Sequence, residues 1–226
     1  NEVIPYKSAP ACNKNFHLLL NVISLKFYSE YVSFITEVAL KQLNRGETNM
    51  KLRGIDFGNV LVQNIPISVR REMLEQYPNI EALEDTTEFD KFLLQHSSVV
   101  RNAFLGLRRL VDVKGVDHVW IVSRAEGLER VVNRRLFIAH QFEEITGLPI
   151  DHVHFVDKRE EKAPVCQRLG IQGHIDDRGE VLFHLIGVVP TLIWFSPTVS
   201  DLLKWSFSLS QSTHRVSGWD EILLEM

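Results

Sequence analysis

Polar residues able to do chemistry stand where the apolar runs of this chain stop. Asp56 follows "LRGI", Ser123 follows "HVWIV", and the pair Asp176-Asp177 follows "QGHI". Lys162 opens the run that precedes the last of these. A carboxylate can attack phosphorus, Mg²⁺ can neutralise two more, and an ammonium with a hydroxyl can hold phosphoryl oxygens. Two acidic stations, a hydroxyl and an ammonium in this order suit magnesium-assisted phosphoryl transfer. Each residue taken singly has a plainer reading. Asp56 fits a turn, Asp177 a helix cap, and Ser123 a cap for the run beginning near Ala125. Lys162 fits a solvated surface charge, and Lys158 competes with it in the same loop.

Asp56-Phe57-Gly58 is also the tripeptide with which protein kinases hold magnesium. A kinase needs a glycine-rich nucleotide loop, a strand lysine and a catalytic-loop Asp and Asn before it. The residues before Asp56 contain no G-x-G-x-x-G and no H-R-D, so that reading fails. Nor is there a G-x-x-x-x-G-K-[ST] loop, a G-x-S-x-G elbow or an H-E-x-x-H helix.

The elements that must position these residues alternate between strand and helix. "LRGID", "HVWIVS" (118–123), "HVHFV" (152–156), "QGHID" (172–176) and "VVPTLIWF" (188–195) read as strands. Residues 88–113, 125–147, 160–170 and 178–187 read as helices between them, residues 206–213 as a serine-rich loop, and 218–226 as a last helix. The alternation predicts an α/β fold: a doubly wound, mainly parallel, Rossmann-like sheet with helices on both faces. In such sheets function gathers at the carboxyl ends of the strands. His152 and His154 share one face of a strand. With no third ligand nearby they predict packing rather than metal. Cys166 reads as a core residue.

Residues 1–49 differ in character. An extended arm precedes an apolar helix over 16–44, which must bury its surface on this chain's own core or on a protein partner. Residues 50–226 form the α/β domain. The 226 residues are 45% apolar and 24% charged, an ordinary globular composition. A net charge of −4 offers no basic field for nucleic acid. Two cysteines without a CxxC predict a reducing compartment, mitochondrial matrix or cytoplasm. No apolar run is long enough for a transmembrane helix.

Together the segments of residues 51–226 resemble the haloacid dehalogenase-like superfamily, mostly phosphatases. "GIDFGNVLV" resembles its first motif, "WIVS" the second, "EKAPVCQRLGI" the third and "HIDDRGEVL" the fourth. The resemblance implies Asp56 as nucleophile, Ser123 and Lys162 as phosphoryl ligands, and Mg²⁺ held by Asp56, Asp176, Asp177 and the backbone carbonyl of Gly58. Asn59 and Arg124 are further substrate-binding candidates. The departure is Gly58, where most family phosphatases place a second Asp as general acid/base. A glycine keeps the carbonyl and loses proton transfer, help typically worth ~10²–10⁴-fold. The "D-x-G-N-V" variant also resembles some active sugar-phosphate phosphatases. Sugar or acyl phosphates, with good leaving groups, need the acid least.

Residues 64–89 leave room for a vestigial cap only, which implies an open site for a phosphorylated small molecule or macromolecule. Two functions follow. One is a Mg²⁺-dependent phosphohydrolase working through an aspartyl-phosphate. The other is a catalytically weak relative serving as a subunit of a larger assembly.

Overall fold

The computed structural model describes residues 53–83 and 86–225. The helix expected over 16–44 and the domain boundary at 49/50 lie outside them. Six strands form one sheet: β1 (Arg53–Ile55), β2 (Val119–Arg124), β3 (Val153–Val156), β4 (Gly173–Asp176), β5 (Thr191–Phe195) and β6 (Thr213–Val216). Their order is β3-β2-β1-β4-β5-β6, and every neighbouring pair is parallel.

Parallel strands need crossovers, and helices supply them. Between β1 and β2 run α1 (Ile67–Gln76), α2 (Thr87–His96) and α3 (Ala103–Lys114). Then α4 (Leu128–Ala139) and α5 (Phe142–Thr146) lead to β3, and α6 (Lys162–Arg168) leads to β4. Two more crossovers, α7 (Gly179–Leu185) and α8 (Val199–Leu209), lead to β5 and β6, and α9 (Trp219–Glu225) follows. The chain winds outward from β1 to β3, then returns to lay β4 on the other side of β1. A crevice opens at that reversal, beyond the carboxyl ends of β1 and β4.

Both faces of the sheet are covered. Ile55 lies level with Ile121 and Ile175, and this face packs against Phe57, Leu107, Leu136 and Phe137. The other face carries Val122, Leu192 and Trp194 under Val165, Leu182, Leu185 and Leu209. Burying each such side chain contributes roughly 1.5–3 kcal/mol. On this second face Gly54 lies level with Trp120 and His174. A Cβ there would stand 2.5 Å from His174 Nδ1, so glycine is what admits the buried imidazole.

Three expectations change. The helix expected over 88–113 is broken between α2 and α3, where Val99 makes an antiparallel bridge to Val62. The buried loop after β1 needs partners for its amides, and the β-branched pair Val99-Val100 takes the extended form that supplies them. Gln63 N donates to Ser98 O at 2.9 Å, and Val100 N to Leu61 O at 2.9 Å. Gln141, left-handed at φ 53°, likewise divides the helix expected over 125–147. The serine-rich stretch is not a loop. Leu202, Trp205 and Leu209 recur at helical spacing on the second core, so α8 runs into it as far as Leu209; a turn over 210–212 then leads to β6, which starts at Thr213. The outer face of α8 leaves Val199, Leu203 and Phe207 exposed.

His152 and His154 stack on Trp120, with ring centroids 4.2 and 5.2 Å away, which is packing as expected. Cys166 is fully buried. Among the described residues no helix is long and apolar enough to cross a membrane.

Candidate active site

Asp56 continues the β1 ladder one residue past the strand, its N–H donating to Ile175 O at 2.9 Å. The chain then turns in a tight loop whose Phe57, Val60, Leu61 and Val62 are all buried. Leu61 N and Val62 N both donate to Phe57 O. Asn59 adopts φ 58°, a region that Asn tolerates better than most residues. Its Nδ2 donates to Asp177 Oδ2 at 2.8 Å, and its Oδ1 accepts from Asn64 N at 3.1 Å. From the far end of the chain, Trp219 Nε1 donates to Val60 O at 2.7 Å.

Lys162, at the start of α6, reaches into the crevice and is 2% exposed. Its Nζ lies 2.6 Å from Asp56 Oδ1 and 2.7 Å from Asp176 Oδ2. Ser123, near the end of β2, lines the same cleft as Asp56, and its hydroxyl favours the ionised carboxylate. Asp176 also accepts from Arg178 N at 2.9 Å and faces His174 Nε2 at 3.3 Å. Carboxylate oxygens of Asp56, Asp176 and Asp177 lie within 4.8 Å of one another.

The electrostatics follow from three buried acids that share the Lys162 ammonium and, beside Asp176, the His174 imidazole, whose pKa is raised to about 9 against its burial by Cys166 and Asp176. Burial opposes charge on Lys162, but Asp176 and Asp56 outweigh it and hold the ammonium above its ordinary pKa. Burial also opposes charge on Asp176; Lys162 and His174 more than reverse this and pull it down to about 2. Asp56 is raised, chiefly by burial. Asp177 is pushed up to about 7 by burial and by repulsion from Asp176 and Asp56, against the pull of Asn59 and Arg178.

This unmet negative charge is what a divalent cation would relieve, and three clustered carboxylates are the donors that Mg²⁺ favours. The residues therefore fit the ion. The linkage gives a pH test. A carboxyl whose folded pKa is raised stabilises fully below its unfolded pKa near 4, and loses that contribution as pH rises through about 7. In EDTA the thermal midpoint is therefore expected to fall between pH 4 and 7, with Asp177 contributing on the order of a few kcal/mol. Asp177→Asn flattens that slope, and Mg²⁺ reverses it by replacing the proton.

A cleft of about 250 Å³ surrounds the cluster. Asp56, Gly58, Ser123, Arg124, Lys162, Asp176 and Asp177 all line it, so the residues read from the sequence converge; Asn59 joins them through its bond to Asp177. Arg124 stands at the rim, engaged with Glu126, Glu129 and the Asp157 carbonyl. Lys158 is exposed and does not line the cleft. The plainer readings fail locally. Gly127 occupies the N-cap of α4 and Arg178 that of α7, so neither Ser123 nor Asp177 is a cap.

The sequence reading missed Asn64, Arg70, Arg159 and Arg178, which also line the cleft. They lie on loops, helix starts and an irregular segment, where no periodicity points at the crevice. Only Arg178 carried a signal, as the residue after Asp176-Asp177. These three arginines and Arg124 are 38–43% exposed, so the rim meets solvent.

No family model matches this chain, and no curated protein does. Among solved structures it is similar to one described as a haloacid dehalogenase-like hydrolase from Burkholderia xenovorans LB400. The two share 15% identity over 77% of this chain and 95% of that one, with a TM-score of 0.48.

Proposed function

We propose that the chain is a Mg²⁺-dependent phosphohydrolase of haloacid dehalogenase-like type. The observation that carries this reading is the buried Lys162 ammonium between Asp56 and Asp176, with Asp177 beside them at the reversal point of the sheet. Nucleophile, phosphoryl-binding cation and metal donors then share one crevice. An Asp56 carboxylate oxygen attacks phosphorus, the bond from phosphorus to the leaving-group oxygen breaks with its electron pair staying on that oxygen, and Ser123 and Lys162 hold the phosphoryl oxygens as charge develops on them. Asp56, Asp176, Asp177 and the Gly58 carbonyl are the groups that would hold Mg²⁺, which supplies charge neutralisation when bound. Water then attacks the aspartyl-phosphate, its proton passes to phosphate, and the Asp56 carboxylate returns.

The test is hydrolysis of p-nitrophenyl phosphate by the full chain, in Mg²⁺ and in EDTA. Turnover that depends on Mg²⁺ and disappears in Asp56→Asn is the expected result. Turnover that is absent, or unchanged in the variant, sinks the proposal. The exposed ridge of Val199, Leu203 and Phe207 on α8 favours the second reading, an interaction subunit, and that reading takes over if no turnover is found.

A further inference from the structure

Apart from Asp177, which belongs with the metal donors, the described residues beside Gly58 offer no free carboxyl to the cleft. Gly58 has no side chain, and the space one would enter is already filled. A Cβ on Gly58 would lie 2.8 Å from Asn64 Oδ1 and 3.4 Å from its Nδ2. Asn64 is placed there by its backbone bond to Asn59, which in turn holds Asp177. A carboxamide does not exchange protons at ordinary pH, but its N–H groups donate hydrogen bonds to an anion. The acid on the same wall is Glu129, and both its oxygens are taken by guanidinium groups. Arg70 Nη1 lies 3.1 Å from Oε1 and Arg124 Nη1 2.5 Å from Oε2.

Space decides where the rest of a substrate goes. With the phosphoryl group at Ser123 and Lys162, Asn64, Arg70, Glu129 and Asn133 are among the residues that line the rest of the cleft. These four residues also border a second cavity of about 200 Å³. Its walls are apolar: Phe57, Met73, Leu74, Leu128, Val132 and Leu136 among others.

We infer that Asn64 stands on the leaving-group side as a hydrogen-bond donor in place of an acid, and that the substrate is an acyl phosphate with a short apolar acyl chain. The inference rests on the phosphohydrolase reading and narrows it. When Asp56 oxygen bonds phosphorus, the bond from phosphorus to the acyl oxygen breaks and its electron pair stays on a carboxylate. That carboxylate needs no proton, accepts hydrogen bonds from Asn64 and Arg70, and leaves its chain in the apolar recess. An alkyl ester would release an alkoxide, which needs the proton this wall does not supply.

The full chain in Mg²⁺ is tested on acetyl, butyryl and n-butyl phosphate. The expected kcat/KM is higher for butyryl than for acetyl phosphate, with butyl phosphate at least ~10³-fold slower, an estimate from the usual worth of acid catalysis and the better leaving group. Gly58→Asp, which displaces Asn64, and Asn64→Asp, which leaves the turn alone, each raise the butyl phosphate rate ~10²-fold. Neither variant raises the butyryl phosphate rate. A readout without turnover is butyrate titrated into the labelled protein with phosphate present. The Asn64 side-chain NH₂ signals, assigned by their loss in Asn64→Ala, shift on binding. The inference is overturned if butyl phosphate matches butyryl phosphate within tenfold in the native chain. It is also overturned if neither carboxyl variant narrows the gap, if the butyryl chain brings no gain, or if butyrate leaves the Asn64 signals unmoved. Failure of every phosphate, p-nitrophenyl phosphate included, strikes the phosphohydrolase reading itself.

Discussion

Asp56→Asn lowers phosphate hydrolysis on the order of 10⁴-fold or more, the scale seen when a nucleophile is removed from a site whose other parts remain. The loss is confined to the chemical step. An amide has the size of the carboxylate, and its oxygen can keep the hydrogen bond from Lys162 Nζ. Burial raises the Asp56 pKa, which means that its charge is costly in the folded chain. Asparagine removes that cost while Asp176 still balances Lys162 at 2.7 Å. The variant is therefore expected to melt at or above the temperature of the native chain in EDTA. The discriminating measurement pairs a melt with acid-quenched substrate carrying labelled phosphate. The native chain retains covalent label and the variant does not. A variant that loses activity together with its fold would leave Asp56 a structural residue.

Lys162→Met has the opposite character: it costs stability as well as activity. The ammonium is 2% exposed and lies within salt-bridge distance of two carboxylates that are themselves 10% and 0% exposed. Removing one partner of a buried pair strands the other, typically at about 3–5 kcal/mol. For a domain of this size that lowers the thermal midpoint on the order of 10 °C. Two repairs are expected. Mg²⁺ restores part of the midpoint by replacing the lost positive charge, and Asp56→Asn in the same chain removes one of the stranded negatives. A melt of the single variant, the double variant and the single variant with Mg²⁺ checks all three. A Lys162→Met chain as stable as the native one would mean that the ammonium is not seated between the carboxylates.

The residues of the site could be read from the sequence because each ends an apolar run. A buried parallel strand must be continuously apolar, so the first polar residue after it marks the sheet edge where chemistry gathers. Asp56, Ser123 and Asp176 were found this way, and Lys162 by its place in the chain. Asn64 offered no such mark. Its role comes from filling the space beside Gly58, a relation between two loop positions that no spacing rule contains. The arginines were hidden for a similar reason, since a rim is assembled from segments distant in the chain. The fold failed to read through where local pattern and tertiary demand diverged. Residues 88–113 have helical spacing throughout, yet Val99 and Val100 were needed beside the Asp56 loop. The serines of α8 look like a loop until Leu202, Trp205 and Leu209 are placed on the core.

Trp219 belongs to the order of events as much as to the geometry. The loop that presents Asp56 is made before the indole that donates to Val60 O, which follows more than a hundred and fifty residues later. Until that ring arrives, Gly106 of α3, which a Cβ would bring within 2.4 Å of it, has no partner for its bare face either. A nascent chain can thus make all six strands and the acidic groups of the cleft while the loop after β1 still lacks its anchor. The candidate site is complete only when the segment after β6 docks and holds the first strand's loop in place.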